Sequence, residues 1–115
     1  MDHKEMDVWK KAMDLVETIY RMSSSFPKEE VYGLTSQIRR AAVSIPSNIA
    51  EGSARKSDKE FIQFISIALG SLSEVETQYQ LAIRLKFTDD LSDLNDLIKS
   101  VRKLLIGTRN YLIKK

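Results

Sequence analysis

Apolar residues recur at steps of three and four through four blocks of the chain, each broken by serine, glycine, proline or aspartate. The first block predicts a helix over about 7–23. Trp9, Ala12, Met13, Val16, Ile19 and Tyr20 form its apolar face, with Lys10, Lys11, Asp14, Thr18 and Arg21 outside it. Ser23-Ser24-Ser25 ends this helix, and Pro27 suits the first position of a short turn through Lys28-Glu29-Glu30. The second block, about 33–53, carries Leu34, Ile38, Ala41, Ala42, Ile45, Ile49 and Gly52 within about a third of the helix circumference. The third, about 57–85, opens on a Ser57-x-x-Glu60 capping box. Its core face is Phe61, Phe64, Ile65, Ala68, Leu72, Val75, Tyr79, Ala82 and Ile83. The fourth, about 89–113 with Thr88 or Asp89 as its cap, repeats Leu91, Leu94, Ile98, Val101, Leu105, Thr108 and Leu112 as a heptad-like seam. Four helices on short connections predict an all-α fold, an antiparallel up-and-down four-helix bundle forming one domain over 1–115.

The faces turned away from these stripes change the picture. The back of the second helix offers Ser36, Val43, Ser47 and Ala50 where a lone bundle would place charges, although Arg39, Arg40, Ser44 and Glu51 stand beside them. Small residues let another backbone approach, so Val43, Ser47 and Ala50 are candidate subunit contacts; a mildly polar solvated face is the alternative. The third helix has only Glu74 and Glu76 as charges between Phe61 and Ile83, with Ile62, Ile67, Leu69 and Leu81 off its main face. Ile67 and Gly70 join the candidate contact set, and the pattern argues for more than one subunit. Pro46 removes a helical donor and clashes with the carbonyl four residues back, at ~3 kcal/mol unless relieved. Because the apolar spacing runs unbroken from Ile45 to Ile49, a kinked helix fits, with two shorter helices meeting at Pro46 as the alternative. Ser44 and Ser47 could take up the freed carbonyls.

Charge and composition mostly exclude. The net charge of +2 is too small to imply nucleic acid by itself. Its distribution is polar: Asp89, Asp90, Asp93 and Asp96 precede Lys99, Arg102, Lys103, Arg109, Lys114 and Lys115. That order complements the dipole of the fourth helix and leaves room for a basic patch facing an anionic partner. Arg55, Lys56 and Lys59 gather where the third helix begins, and with Arg39 and Arg40 they are the candidate phosphate contacts. A polar turn with solvated bases is the plainer reading. No aromatic surface is interleaved with these bases along the chain, which speaks against sequence-specific readout. The chain has no cysteine, and its one histidine, His3, falls in an N-terminal stretch expected to fray, so a catalytic triad or a Glu-x-x-His metal site is not expected. Glu51 and Asn48 stand beside Pro46, where Glu51 could pair with Arg55. No catalytic residue, cofactor or metal is expected. Without a signal-peptide core or a membrane-length apolar run, a soluble cytoplasmic protein is expected.

Two long blocks, YGLTSQIRRAAVSIPSNIAEG and the RKS-x-KEF-xx-F-xx-IALGSL-x-E-x-ET that follows, closely resemble the four-helix-bundle family encoded by intervening sequences in bacterial 23S rRNA genes, also called the S23 ribosomal protein family. The resemblance runs from about Val8 to Leu85, and the fourth helix matches only in character. Relatives include accessory variability determinant proteins of diversity-generating retroelements, basic pentameric barrels that bind a reverse transcriptase and nucleic acid. The resemblance implies a homopentameric ring without established enzymatic activity; the residues alone suggest only self-association. Two roles follow as expectations: a ring binding RNA or DNA through repeated basic patches, or a scaffold docking a protein partner such as a reverse transcriptase.

Overall fold

A computed structural model of the chain describes residues 2–115, and among them every regular element is helical. The four α-helices are α1 (Asp7–Ser23), α2 (Leu34–Ser53), α3 (Asp58–Arg84) and α4 (Ser92–Lys114); short 3-10 turns span His3–Glu5 and Lys28–Glu30. Each helix packs against its neighbours in sequence and α4 closes on α1, which is the cycle of a four-helix bundle. Cross-links at both ends make neighbours antiparallel. Arg39 near the start of α2 binds the end of α1, Tyr79 late in α3 binds Leu91 before α4, and Lys115 after α4 reaches Asp58 at the start of α3. The bundle measures 45 × 25 × 20 Å.

The core stripe of α2 lies where the periodicity puts it, with Leu34, Ile38, Ala41, Ala42, Ile45, Ile49 and Gly52 all buried. In α1 the stripe is turned. Val8, Ala12, Leu15, Ile19 and Met22 are buried, whereas Met13 and Tyr20 are exposed and Trp9 and Val16 pack on the flank. The buried set steps by four and three without a break, so it follows the helix groove more closely than a face chosen for its large side chains. In α3, Ile65, Ala68, Leu72, Val75, Tyr79 and Ala82 are buried, while Phe61, Ile62, Leu69 and Ile83 pack against the core from its margin. Ile62 and Leu69 are therefore covered within one subunit. Of the off-face apolar residues, only Ile67 and Leu81 stay exposed.

The helix ends show why the chain turns where it does. The hydroxyls of Ser23, Ser24 and Ser25 donate back to the carbonyls of Ile19, Tyr20 and Met22, closing the last turn of α1. Ser57 caps α3 as expected, its hydroxyl accepting the Glu60 N–H. At the far end of α3, Lys86 adopts φ 63, the Phe87 N–H reaches the Ala82 carbonyl and the Lys86 N–H that of Ile83. This is a Schellman turn with lysine in the position glycine usually fills. Neither Thr88 nor Asp89 caps α4, which begins at Ser92 after Leu91. The buried Tyr79 hydroxyl takes the Leu91 N–H at 2.6 Å and so fixes a later start than local capping chemistry suggests. In the N-terminal stretch, Asp2 caps the first 3-10 turn, and His3 meets Trp9 edge-on with ring centroids 5.3 Å apart.

Helix α2 is one continuous element through Pro46, so two shorter helices meeting there are not formed. The serines do not serve as anticipated. The Ser44 and Ser71 hydroxyls share a hydrogen bond of 2.9 Å between α2 and α3, and the Asn48 amide donates to the Ser44 carbonyl at 2.7 Å and to its hydroxyl at 2.9 Å.

Candidate nucleic-acid interface

The five candidate phosphate contacts divide between the two ends of the molecule. Arg39 lies in the second turn of α2 and Arg55 just past its end, a rise of roughly 24 Å at 1.5 Å per residue. Arg39 is committed within the chain: its Nε donates to Ser23 Oγ at 2.8 Å, its Nη2 donates to the Tyr20 carbonyl at 3.2 Å, and its guanidinium stacks over Tyr20. It satisfies the end of α1 rather than presenting charge to a ligand. Arg40 is exposed and lines a shallow polar groove between α2 and α3 with Gln37, Ser44, Glu74 and Gln78. Arg55, Lys56 and Lys59 remain together at the other end, in the α2–α3 turn and the first turn of α3.

That end holds a cleft of about 700 Å³. Its floor is apolar, built from Met6, Phe61, Leu104 and Leu112, and its rim is cationic, from Arg55, Lys56, Lys103 and Lys115. Among the described residues Asp58 is the only acid lining it, and Lys115 lies 3.6 Å from that carboxylate. Arg55 pairs with Glu51 at 2.8 Å and lies over the Phe64 ring at 4.9 Å. This is the expected i,i+4 pair, an exposed one worth about 0.3–0.5 kcal/mol. Among the described residues, Lys56, Lys59 and Lys103 make no ion pair.

Tyr111 also lines the cleft, 64% exposed, with the Lys115 ammonium 5.9 Å from its ring centroid. The chain order concealed this neighbourhood. Aromatic rings are not interleaved with Arg55, Lys56 and Lys59 in sequence, yet folding sets Phe61, Phe64 and Tyr111 among the bases. Lys103, Gly107, Tyr111 and Lys115 were not singled out as a group. Their signal is the four-residue step, which lays Lys103, Gly107 and Tyr111 along one slowly turning line of α4 with Lys115 just past its end.

The candidate subunit contacts also fall in two places. Val43, Ser47 and Ala50 line a groove of about 360 Å³ between α1 and α2, completed by Trp9, Met13, Val16 and Pro46. Val43 is 41% exposed there. Ile67 and Gly70 lie on α3, outside that groove; Ile67 is 51% exposed, and a Cβ built on Gly70 meets nothing within 4 Å. Two separate weakly polar surfaces thus remain open on the subunit.

Among the described residues, no group of three or more histidines or carboxylates is placed to hold a metal ion. The Tyr79 phenol is pushed above its ordinary value chiefly by burial, with the Leu91 hydrogen bond opposing and Asp90 adding to the rise. It binds a helix end and faces no cleft. Among the described residues, no helix is long and apolar enough to cross a membrane.

No curated protein matches the chain. A solved structure from Bacteroides thetaiotaomicron, described as a protein of unknown function from the S23 ribosomal protein family, superposes with a TM-score of 0.64 at 24% identity; the match covers 93% of this chain and 95% of that one. At that identity the likeness speaks for the fold alone. The family model described as 23S rRNA-intervening sequence protein matches residues 4–107. Nearly the whole bundle, including the α2–α3 turn and most of the basic cleft, lies inside that match, and the chain belongs to the 23S rRNA-intervening sequence protein family.

Proposed function

We propose that the protein is a non-catalytic, self-associating bundle that binds nucleic acid, RNA foremost, through its basic end. The observation that carries this reading is the convergence of Arg55, Lys56, Lys103 and Lys115 on one cleft where the lining carboxylate, Asp58, already faces a lysine. The rRNA context in the family's name agrees with it. Arg39 leaves the contact set because its donors are used within the subunit, while Arg40 lies apart in its own groove.

One subunit presents too few free cations for tight binding. Repetition supplies the rest, since linked copies bind a polyanion by avidity. Self-association is supported by the two open surfaces, the α1–α2 groove around Val43, Ser47 and Ala50 and the α3 face at Ile67 and Gly70. Two different patches on one subunit suit a head-to-tail contact, which closes into a ring when the rotation permits. A homopentamer, the number the family resemblance implies, is such a ring. A bend of α2 at Pro46 belongs to the same reading, because the proline lines the α1–α2 groove and its missing hydrogen bond lets the groove open towards another copy.

Filter binding of RNA and duplex DNA across a salt series tests this function. The expected result is binding at about 50 mM salt that weakens steeply as salt rises, since phosphate contacts release counterions. Absence of binding, or a flat salt dependence, removes the proposal.

A second reading, a scaffold docking a protein partner, is favoured by the groove around Trp9, Met13 and Val43, which is apolar and free of charge. If that groove takes a protein partner instead of a second copy, Val43→Glu abolishes capture of the partner and leaves the oligomeric mass unchanged.

A further inference from the structure

Gly107 lies inside the continuous helix α4, where no turn requires a glycine. Glycine weakens a helix interior, and this one neither has a positive φ nor meets a neighbour, since a Cβ built there finds nothing within 4 Å. It sits one turn before the exposed ring of Tyr111, on the same side of the helix, and both line the basic cleft. The missing side chain leaves a slot beside an aromatic ring, with Phe61 and Leu104 as apolar floor and Lys56 and Lys103 carrying unpaired charge at the rim.

We propose that this slot holds one unpaired nucleotide of a single-stranded RNA, its base over Gly107 against Tyr111 and its flanking phosphates towards Lys56 and Lys103. The inference rests on the nucleic-acid reading above and narrows it to one structural class of RNA. Charge complementarity selects an anionic ligand, and the ring beside an empty slot selects one with a flat face. Bases in a duplex are already stacked on one another and cannot offer that face. The basic rim acts on either form; the slot acts on single strands alone.

The test uses fluorescence anisotropy with a short labelled single-stranded RNA and a duplex of the same length, on the full chain. Gly107→Leu fills the slot from an open position, so the fold is expected to keep or raise its thermal midpoint. Its single-strand affinity is expected to fall by about tenfold, the scale of one lost base–aromatic stack, with duplex affinity unchanged. Tyr111→Ala gives the same selective loss, and Tyr111→Phe, which keeps the ring, restores binding. Unchanged single-strand affinity in both Gly107→Leu and Tyr111→Ala overturns the slot, as does an equal loss on the duplex. Failure of the unaltered protein to bind either RNA at low salt overturns the underlying reading as well.

Discussion

The guanidinium of Arg39 lies 4.6 Å from the centroid of the Tyr20 ring, so an arginine of α2 covers the last turn of α1. Its donors reach Ser23 Oγ and the Tyr20 carbonyl, adding a clasp from α2 to the bonds the serine hydroxyls already make in that turn. Arg39→Ala is therefore expected to lower stability by about 1 kcal/mol, the scale of a partly exposed charged hydrogen bond. Thermal melts measure this loss. RNA affinity of the same variant is expected to stay where it was.

At Gly52, α2 packs closely on α3. A Cβ there would stand 2.7 Å from Phe64 Cβ and 2.8 Å from Phe61 Cδ1. Phe64 Cβ is anchored to its backbone and cannot swing aside, so the helices must separate. Overpacking of this kind costs about 1–3 kcal/mol, and Gly52→Ala should lower the denaturation midpoint accordingly. Gly107→Ala, with open space around it, should do the reverse.

Tyr79 ties α3 to the start of α4. Its hydroxyl accepts the Leu91 N–H at 2.6 Å and lies 3.3 Å from both Asp90 Oδ1 and the Leu91 carbonyl. Tyr79→Phe leaves that N–H without its partner, at about 1–3 kcal/mol. The raised phenol pKa also has a pH signature. The folded state holds the proton more tightly than the unfolded state, so this contribution is complete below the ordinary tyrosine value of 10.0 and is lost as pH climbs past it. Urea titrations from neutral to alkaline pH should show stability falling in that range, and falling less steeply in Tyr79→Phe.

Lys86 occupies a left-handed conformation that costs a side-chain-bearing residue about 1–2 kcal/mol. The position closes α3 and no contact of the lysine side chain is needed for it. Lys86→Gly relieves the strain at some cost in unfolded-chain entropy, and a net gain of about 0.5 kcal/mol is expected in chemical denaturation.

The stripes of α2, α3 and α4 were legible because a single period dominates each, and buried residues such as Ile38, Leu72 and Leu105 stand where that period puts them. In α1 the large residues misled. Trp9, Met13 and Tyr20 outweigh Val8 and Leu15 in size but sit to the side of the groove, and only packing decides the phase. The start of α4 depends on Tyr79, distant in sequence, and so local capping rules could not find it. The basic cleft was half legible. Arg55 and Lys56 adjoin one another in the chain, whereas Lys103, Gly107, Tyr111 and Lys115 arrive from α4 only once the bundle closes.

Everything assigned to the repeated basic end depends on copies of this chain covering one another's open surfaces at Val43 and at Ile67. Multi-angle light scattering on the purified protein at micromolar concentration measures that directly. The account predicts a defined species several times the 13.2 kDa subunit mass; a folded species that stays at 13.2 kDa as concentration rises contradicts it.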